Sequence, residues 1–168
     1  MIETTKSNIA FQYLELGKKS FDAENYLQAI DWVSLAIEID PESSELFIFR
    51  ARLALIRQDY YLALDDLDRA IEIAPSSVLF CERSQVRYRL EMYIPAYLDI
   101  QTAIQLDENN YLAYRYRAIY HCERGELEQG VLDLDRVLAL SNDAEAYYFE
   151  VKPCCAWASL RSWIFIVR

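Results

Sequence analysis

The stretch 60–75, YYLALDDLDRAIEIAP, decides the fold of this chain because three related stretches occur elsewhere in the sequence. They are YLQAIDWVSLAIEIDP at 26–41, YIPAYLDIQTAIQLDE at 93–108 and LEQGVLDLDRVLALSN at 127–142. Equivalent positions in successive stretches are separated by 34, 33 and 34 residues. A period near 34 that holds through four copies indicates an array of stacked structural repeats.

The composition fits one helical domain with a real core. The chain has 168 residues, of which 54% are hydrophobic and three are glycine. Such a hydrophobic content argues against disorder, and glycine is too scarce for a protein made of many tight β-turns. The net charge of −10 argues against a nucleic-acid surface that covers the molecule.

The sequence predicts a cytoplasmic protein without a membrane anchor or a bound cofactor. The N-terminus carries Glu3 and lacks the apolar run of a signal peptide. No stretch reaches the roughly 20 apolar residues that a bilayer span requires. The four cysteines are not spaced as Cys-x-x-Cys, and the single histidine, His121, adjoins Cys122 instead of lying one helical turn away. We therefore expect no metal site.

Each copy predicts a hairpin of two helices. In the first copy Ala29, Val33 and Ala36 recur at helical spacing, Asn25 is a plausible cap, and the residue before Pro41 is pushed out of the helical region. The predicted second helices cover 26–39, 60–73, 93–106 and 127–140. The predicted first helices start at Ile9 and then cover 45–57, 78–90 and 112–124.

These columns resemble the signature of the tetratricopeptide repeat family. The first copy matches it with Tyr13, Leu16, Gly17, Tyr26, Ala29, Ala36 and Pro41. The later copies match with Phe47 and Ala51, Phe80 and Ser84, and Tyr114 and Ala118. The resemblance implies an all-α solenoid of stacked antiparallel hairpins, the tetratricopeptide superhelix. First helices would line a concave groove, and second helices would form the convex back.

The expected organisation is a flexible N-terminus at 1–9, four repeats at 10–43, 44–76, 77–110 and 111–142, and a different C-terminal segment at 143–168. That segment starts like a fifth repeat, but Pro153 falls where its first helix should continue. Residues 151–168 contain no acid and include Trp157 and Trp163. Three readings stay open: an incomplete fifth repeat that caps the array, an interface with a second molecule, or a truncated longer array.

An arginine and an aspartate sixteen residues apart recur in three of the four copies. They replace Leu16 and Trp32 of the first copy, and the pairs are Arg50 with Asp66, Arg83 with Asp99, and Arg117 with Asp133. A planar guanidinium can hold a carboxylate through two parallel hydrogen bonds. We therefore expect structural ion pairs that join the two helices of each hairpin, with no role in ligand binding.

No residue pattern in the chain is typical of an enzyme. There is no Gly-rich phosphate loop and no HExxH pair, and one histidine offers little for acid–base chemistry. Asp65, Asp66 and Asp68 look like a carboxylate cluster. On a helix, however, Asp65 and Asp68 should face solvent while Asp66 pairs with Arg50. We expect a non-catalytic protein.

Charge separates the two layers of helices. The first helices (10–23, 44–57, 77–90, 111–124) hold eleven basic and five acidic residues, and the second helices (24–38, 59–73, 92–107, 126–140) hold two basic and fourteen acidic ones. The resemblance implies that one set of residues on the first helices faces the concave groove. These groove candidates are Leu14, Lys18, Ile48, Arg52, Leu55, Cys81, Gln85, Tyr88, Arg89, Arg115 and Ile119. Such a lining suits a peptide with hydrophobic anchors and an acid or two.

The predicted function is a protein-interaction scaffold that binds a peptide segment of a partner protein in the groove, with neither nucleic acid nor membrane as a ligand. The alternative is a dedicated chaperone or assembly factor that shields an apolar segment of one client. A third reading is self-association through the C-terminal segment. The family's clamp for acidic chaperone tails is disfavoured, because its asparagine positions carry Glu15, Phe49 and Glu82 here.

Overall fold

The structure, a computed structural model, describes the backbone of residues 2–141 and the side chains from Asn8 onward. This part of the chain consists of helices and contains no strand. The helices are α1 (Ile2–Asp22), α2 (Tyr26–Ile39), α3 (Ser44–Ile56), α4 (Tyr60–Ile73), α5 (Ser77–Arg89), α6 (Tyr93–Leu106), α7 (Tyr111–Glu123) and α8 (Leu127–Leu140).

Consecutive helices pack as four hairpins that stack in chain order. The tightest packing joins α1 to α2, α3 to α4, α5 to α6 and α7 to α8, and each second helix then contacts the first helix of the next hairpin. In addition, α5 packs directly against α7, so first helices of successive hairpins lie side by side in one layer. The predicted all-α solenoid of stacked helical hairpins is confirmed.

The helix boundaries agree with the sequence pattern for the second helices and differ for the first helices. All four second helices begin and end at the predicted residues. The first helices α3, α5 and α7 begin one residue early, next to Ser43, Ser76 and Asn110. The helix α1 begins at Ile2, so residues expected to form a flexible N-terminus belong to its first turns. No glycine or proline interrupts the chain there, so the helix extends backwards.

Side-chain caps fix where most hairpin helices start. The Asn25 carboxamide accepts a hydrogen bond from the Gln28 backbone N–H, as predicted. Asp59 caps α4 in the same way, and Ser76 caps α5. These contacts satisfy donors that the first helical turn leaves without a partner.

Every turn inside a hairpin passes through the left-handed region of backbone conformation. The residues at this position are Glu24, Gln58, Glu91 and Gly125, with φ of 58, 61, 60 and 76°. In each turn the next residue donates its N–H to the carbonyl five residues earlier, over 2.8 Å. This closure is typical of helix ends with a left-handed residue, where glycine is the favoured choice. Only the turn of the fourth hairpin has a glycine, Gly125, at this position.

Small residues let the two helices of each hairpin approach closely. Gly17, Ala51, Ser84 and Ala118 occupy one repeated position, and all are buried. A Cβ on Gly17 would lie 2.8 Å from Val33 Cγ2. The small residue expected there is therefore required by the approach of α2 to α1.

A buried polar contact joins the third and fourth hairpins. The Asn110 side chain donates to Ser77 Oγ over 2.7 Å, and the Ser77 hydroxyl donates to the Ala103 carbonyl over 2.7 Å. Because all of these groups are buried, each hydrogen bond satisfies a group that water cannot reach.

The C-terminal segment 143–168, with Pro153, Trp157 and Trp163, lies outside the described residues. Between residues 2 and 141, no helix combines the length and apolarity that crossing a membrane requires.

Candidate functional site

All three predicted arginine–aspartate pairs are present as two-bond contacts. Arg50 donates to the two Asp66 oxygens over 2.9 and 2.7 Å, and Arg83 to those of Asp99 over 3.0 and 2.6 Å. Arg117 does the same to Asp133 over 2.8 and 2.6 Å. The aspartates are only 1, 3 and 5% exposed. Their position inside the hairpins makes these groups structural.

Two of the arginines also reach back to the preceding hairpin, which the sequence pattern did not predict. Arg50 Nη1 donates to Ser34 Oγ over 2.9 Å, and Arg83 Nη1 donates to Asp68 Oδ1 over 2.7 Å. Ser34 and Asp68 are equivalent positions in successive copies, so their shared polarity was the available signal. The expectation that Asp68 only faces solvent was wrong, because α5 packs against α4 and brings Arg83 to it.

Burial and hydrogen bonding act on these pairs in opposite directions. Burial raises the pKa of the Asp66 carboxyl, while the hydrogen bonds from Arg50 lower it. Burial alone would lower the pKa of Arg83, but the hydrogen bonds to Asp99 and Asp68 outweigh it and raise that pKa above its ordinary value.

Two of the predicted groove residues, Leu14 and Cys81, do not line a surface. They are 4 and 2% exposed. Leu14 packs in the core of the first hairpin, and Cys81 packs with Ala103 and Ala113 between the third and fourth hairpins. Both side chains point sideways into the neighbouring helices, so they are excluded from contact with a ligand. Burial raises the pKa of the Cys81 thiol to about 12.

The first half of the predicted groove neutralises its own cations. Lys18 Nζ lies 3.1 Å from Glu15 and 3.9 Å from Glu45, and Arg52 Nη2 lies 2.7 Å from Glu82. Both pairs that bridge hairpins join neighbouring first helices. The other predicted residues of this half, Ile48 and Leu55, are half-buried and pack against the core.

The second half of the groove contains a cavity of about 380 Å³ between α5, α6 and α7. Five predicted groove residues meet there: Gln85, Tyr88, Arg89, Arg115 and Ile119. The sequence analysis missed the other lining residues, which are Ser84, Ala96, Ile100, Tyr116 and Tyr120. The four-residue spacing of Tyr116 and Tyr120 was the signal that could have found them, because it places both rings on one face of α7.

Aromatic contacts fix the walls of this cavity. Tyr120 stacks on Tyr97 with ring centroids 4.4 Å apart, and Tyr88 meets Tyr93 edge-on at 5.3 Å. The Tyr88 hydroxyl donates a hydrogen bond to Glu123. Partial burial and that neighbouring carboxylate raise the pKa of Tyr88 to about 12, so its hydroxyl stays protonated at neutral pH. Two aromatic walls of the cavity, Tyr88 and Tyr120, are therefore already held in place.

The remaining chemical candidates give no catalytic arrangement. Among residues 8–141, no group of three His, Cys, Asp or Glu side chains converges as a metal site would require. His121 Nδ1 lies 2.6 Å from Glu126, and this hydrogen bond, with one from Arg124, lowers the pKa of Glu126. These side chains lie at the turn between α7 and α8, and of the three only Arg124 reaches a cavity that we identify among those residues, a space of about 220 Å³ that it shares with Tyr88, Tyr93, Tyr120 and Glu123.

Several curated proteins are similar to the chain over parts of their length. Tetratricopeptide repeat protein 13 of Homo sapiens is 29% identical over 116 residues, which are 68% of this chain and 14% of that protein. The TPR repeat-containing protein MJ1428 of Methanocaldococcus jannaschii is 28% identical over 132 residues, 77% of this chain and 23% of that protein. Dynein axonemal assembly factor 4 of Rattus norvegicus is 29% identical over 103 residues, 56% of this chain and 24% of that protein. The chain thus spans less than a quarter of the length of each relative. No protein-family model matches it.

Solved structures with the same architecture include three that cover most of their own chains. The MamA protein has a TM-score of 0.78 at 15% identity and covers 92% of this chain and 85% of its own. YrrB, described as a TPR protein with an unusual peptide-binding site, has a TM-score of 0.70 at 18% identity, over 90 and 79%. The second TPR domain of Spaghetti (RPAP3), bound to the HSP90 peptide SRMEEVD, has a TM-score of 0.58 at 27% identity, over 63 and 98%.

Proposed function

Because this chain is a tetratricopeptide-repeat protein of about four repeats, we propose that it is a non-catalytic interaction scaffold that binds a peptide segment of a partner along its first helices. The observation that carries the proposal is the cavity between α5, α6 and α7, where five predicted groove residues meet. Its lining mixes apolar, aromatic and cationic side chains. Pockets of this kind bind side chains that project from an extended or helical segment.

Two structural neighbours support a peptide as the ligand. YrrB is described with a peptide-binding site, and the RPAP3 domain was solved with a peptide bound. The RPAP3 peptide ends in acidic residues, and here the positions expected to hold clamp asparagines carry Glu15, Phe49 and Glu82. Glu82 is moreover paired with Arg52. We therefore propose a peptide of different sequence for this chain.

The alternative function, an assembly factor that shields one client, is favoured by the similarity to dynein axonemal assembly factor 4. The two functions differ in the range of partners. A scaffold binds several proteins that share a short motif, whereas a dedicated assembly factor binds one protein through an apolar segment.

Site-specific photocrosslinking tests the proposed function. A photoreactive phenylalanine analogue replaces Ile119, which lines the cavity, or Tyr61, which is 75% exposed on α4 in the opposite layer. We expect partner proteins to crosslink from position 119 and not from position 61. Crosslinks from position 61 alone would contradict binding at the first helices. Identifying the crosslinked proteins separates many partners with a shared motif from one client.

Cytoplasmic localisation and self-association through the C-terminal segment belong to the same proposal. Residues 151–168 lack acids on a chain with a net charge of −10 and are rich in apolar side chains, and apolar patches mark interfaces where they are exposed. Deleting residues 152–168 should change the molecular mass measured by light scattering and leave peptide binding intact. Unchanged mass with lost binding would instead place this segment in the ligand site.

A further inference from the structure

We propose that the cavity between α5 and α7 is the anchor point of the bound peptide, and that it holds one carboxylate side chain on Arg89 beside a large apolar side chain against Ile119. This inference rests on the proposed function and adds two things to it. It confines the anchor to the second half of the groove, and it specifies the chemistry of the ligand.

The lack of a partner among residues 8–141 distinguishes Arg89 from Lys18 and Arg52. Lys18 is already paired with Glu15 of its own helix and Glu45 of α3, and Arg52 is paired with Glu82 of α5. Arg89 is exposed, lines the cavity and has no hydrogen bond or ion pair to any of residues 8–141. A carboxylate delivered by a ligand can therefore bind Arg89 without breaking an ion pair, whereas binding to Lys18 or Arg52 would require one to break.

Two acidic side chains of the first helices α5 and α7 already have hydrogen-bond donors. Glu123 accepts a hydrogen bond from the Tyr88 hydroxyl, and Glu82 is held by Arg52. Neither of these carboxylates is paired with Arg89. Hydrogen bonds between a guanidinium and a carboxylate are about twice as strong as those between neutral groups, so a ligand acid gains more there than a ligand amide would.

The apolar part of the ligand is defined by the floor and wall of the cavity. Ala96 and Ile100 of α6 contribute surfaces that are 1 and 4% exposed, and Ile119 and the Tyr116 ring of α7 stand above them. Burial raises the pKa of the Tyr116 hydroxyl, which marks this side as poorly hydrated. A large aliphatic or aromatic side chain fits against Ile119 and the Tyr116 ring, which are partly exposed, because it removes their apolar area from water together with its own.

The size of the cavity limits what can occupy it. A volume of about 380 Å³ lies near the lower end of the range for small-ligand sites, about 300 to 1,000 Å³. Such a space accepts two or three side chains and excludes the surface of a folded domain. The occupant is therefore a short segment in which the acid and the apolar residue are close in sequence.

A peptide array tests the inference with the full chain. Immobilised peptides Gly-Ser-X-Z-Gly-Ser carry every pair of residues at X and Z, and bound protein is detected by a fluorescent label. We expect the strongest binding where Asp or Glu stands beside Leu, Ile or Phe. The best soluble peptide is then titrated by fluorescence anisotropy against wild type and variants.

Arg89→Glu should weaken this peptide about tenfold or more, because it replaces a charge-assisted hydrogen bond with repulsion. The variant should also shift the array preference from acidic to basic peptides. Arg52→Glu is the matched control: it is an exposed arginine of the same groove that is already paired, so we expect a change of less than about twofold. Circular dichroism checks that both variants stay folded.

The possible outcomes separate the inference from the proposed function. Acid-independent binding, or loss with Arg52→Glu and not with Arg89→Glu, overturns the inference and leaves a groove scaffold. If Tyr61→Ala weakens binding and no groove variant changes it, the proposed function is overturned as well. An array without any bound peptide also counts against both.

Discussion

Arg87 donates from Nη1 to Asp99 Oδ2 over 2.9 Å, so the Asp99 carboxylate is shared between Arg87 and Arg83. Arg87 also lies 3.7 Å from Asp68, the second partner of Arg83. Asp66, by contrast, has Arg50 as its only cationic partner among the described residues. The three arginine–aspartate pairs are equally spaced in the sequence, but they differ in how much each aspartate depends on one arginine.

Removing Arg50 should therefore destabilise the protein more than removing Arg83. Arg50→Ala leaves Asp66, which is 1% exposed, without a counter-charge, and breaking a buried pair in this way costs about 3 to 5 kcal/mol. After Arg83→Ala, Asp99 keeps Arg87, so we expect a smaller loss of unfolding free energy. Urea denaturation followed by circular dichroism measures both.

The double variant Arg83→Ala/Arg87→Ala is the control for this sharing. It removes both cations from Asp99, so its cost should exceed the sum of the single costs. Equal losses for Arg50→Ala and Arg83→Ala, together with additive losses in the double variant, would show that Arg87 does not take over from Arg83.

The close approach at Gly17 predicts a second stability effect. Gly17→Ala places a methyl group 2.8 Å from Val33 Cγ2, and valine is stiff at χ1, so the variant should lose about 1 to 3 kcal/mol. Val33→Ala makes room for that methyl group. We expect Gly17→Ala to cost much less in a Val33→Ala background, as measured by thermal unfolding. The same cost in both backgrounds would mean that Val33 is not the obstacle.

The left-handed conformation of the turn residues predicts that alanine lowers the stability of the fold at this position and that glycine does not. Gly125→Ala forces a side chain into φ of 76° and should cost about 1 kcal/mol. Its Cβ would meet nothing within 4 Å, so backbone strain is the only cause available. Glu91→Gly, at the equivalent turn of the preceding hairpin, should lose no stability. Equal melting temperatures of wild type and Gly125→Ala would refute this account of the turn.

The buried thiol of Cys81 should resist alkylation in the folded protein. It is 2% exposed, and its pKa of about 12 leaves almost no thiolate at pH 8. Iodoacetamide labelling followed by mass spectrometry of the tryptic peptide 70–83 should therefore show modification only as fast as the protein unfolds. The same reaction in urea serves as the positive control. Rapid labelling of this peptide in the native state would contradict its burial.

The hairpin repeat and the ion pairs could be predicted from the sequence because both depend on contacts within one repeat. The period near 34 fixed the second helices to the residue, and the spacing of sixteen placed Arg117 beside Asp133. Contacts between hairpins were not predictable in this way. Whether Asp68 faces solvent or Arg83 depends on the angle at which α5 packs against α4, and the repeat pattern does not contain that angle.

The candidate site shows the same limit. The pattern placed Gln85, Arg89 and Ile119 in the groove, and the structure gathers them around one cavity. It also assigned Leu14 and Cys81 to the groove. The geometry of the repeat family predicts which face of a helix a residue lies on, but not how much of that face the neighbouring helix covers. Both residues lie just inside the packing interface, where the next helix buries them.

The polar contacts between successive hairpins differ in their chemical groups from one boundary to the next. The first uses the hydroxyl of Ser34 as an acceptor for Arg50, and the second uses the carboxylate of Asp68 as an acceptor for Arg83. The third has the neutral hydrogen bond from Asn110 to Ser77, beside the hydrogen bond from Tyr88 to Glu123 and the stacking of Tyr97 on Tyr120.

The hairpins are therefore not interchangeable, although their sequences align. If the third hairpin followed the first directly, Arg83 would meet the hydroxyl of Ser34 instead of the carboxylate of Asp68. A permuted or duplicated array would keep the contacts within every hairpin and change the contacts between hairpins. The order of the repeats is thus written into the contacts between them.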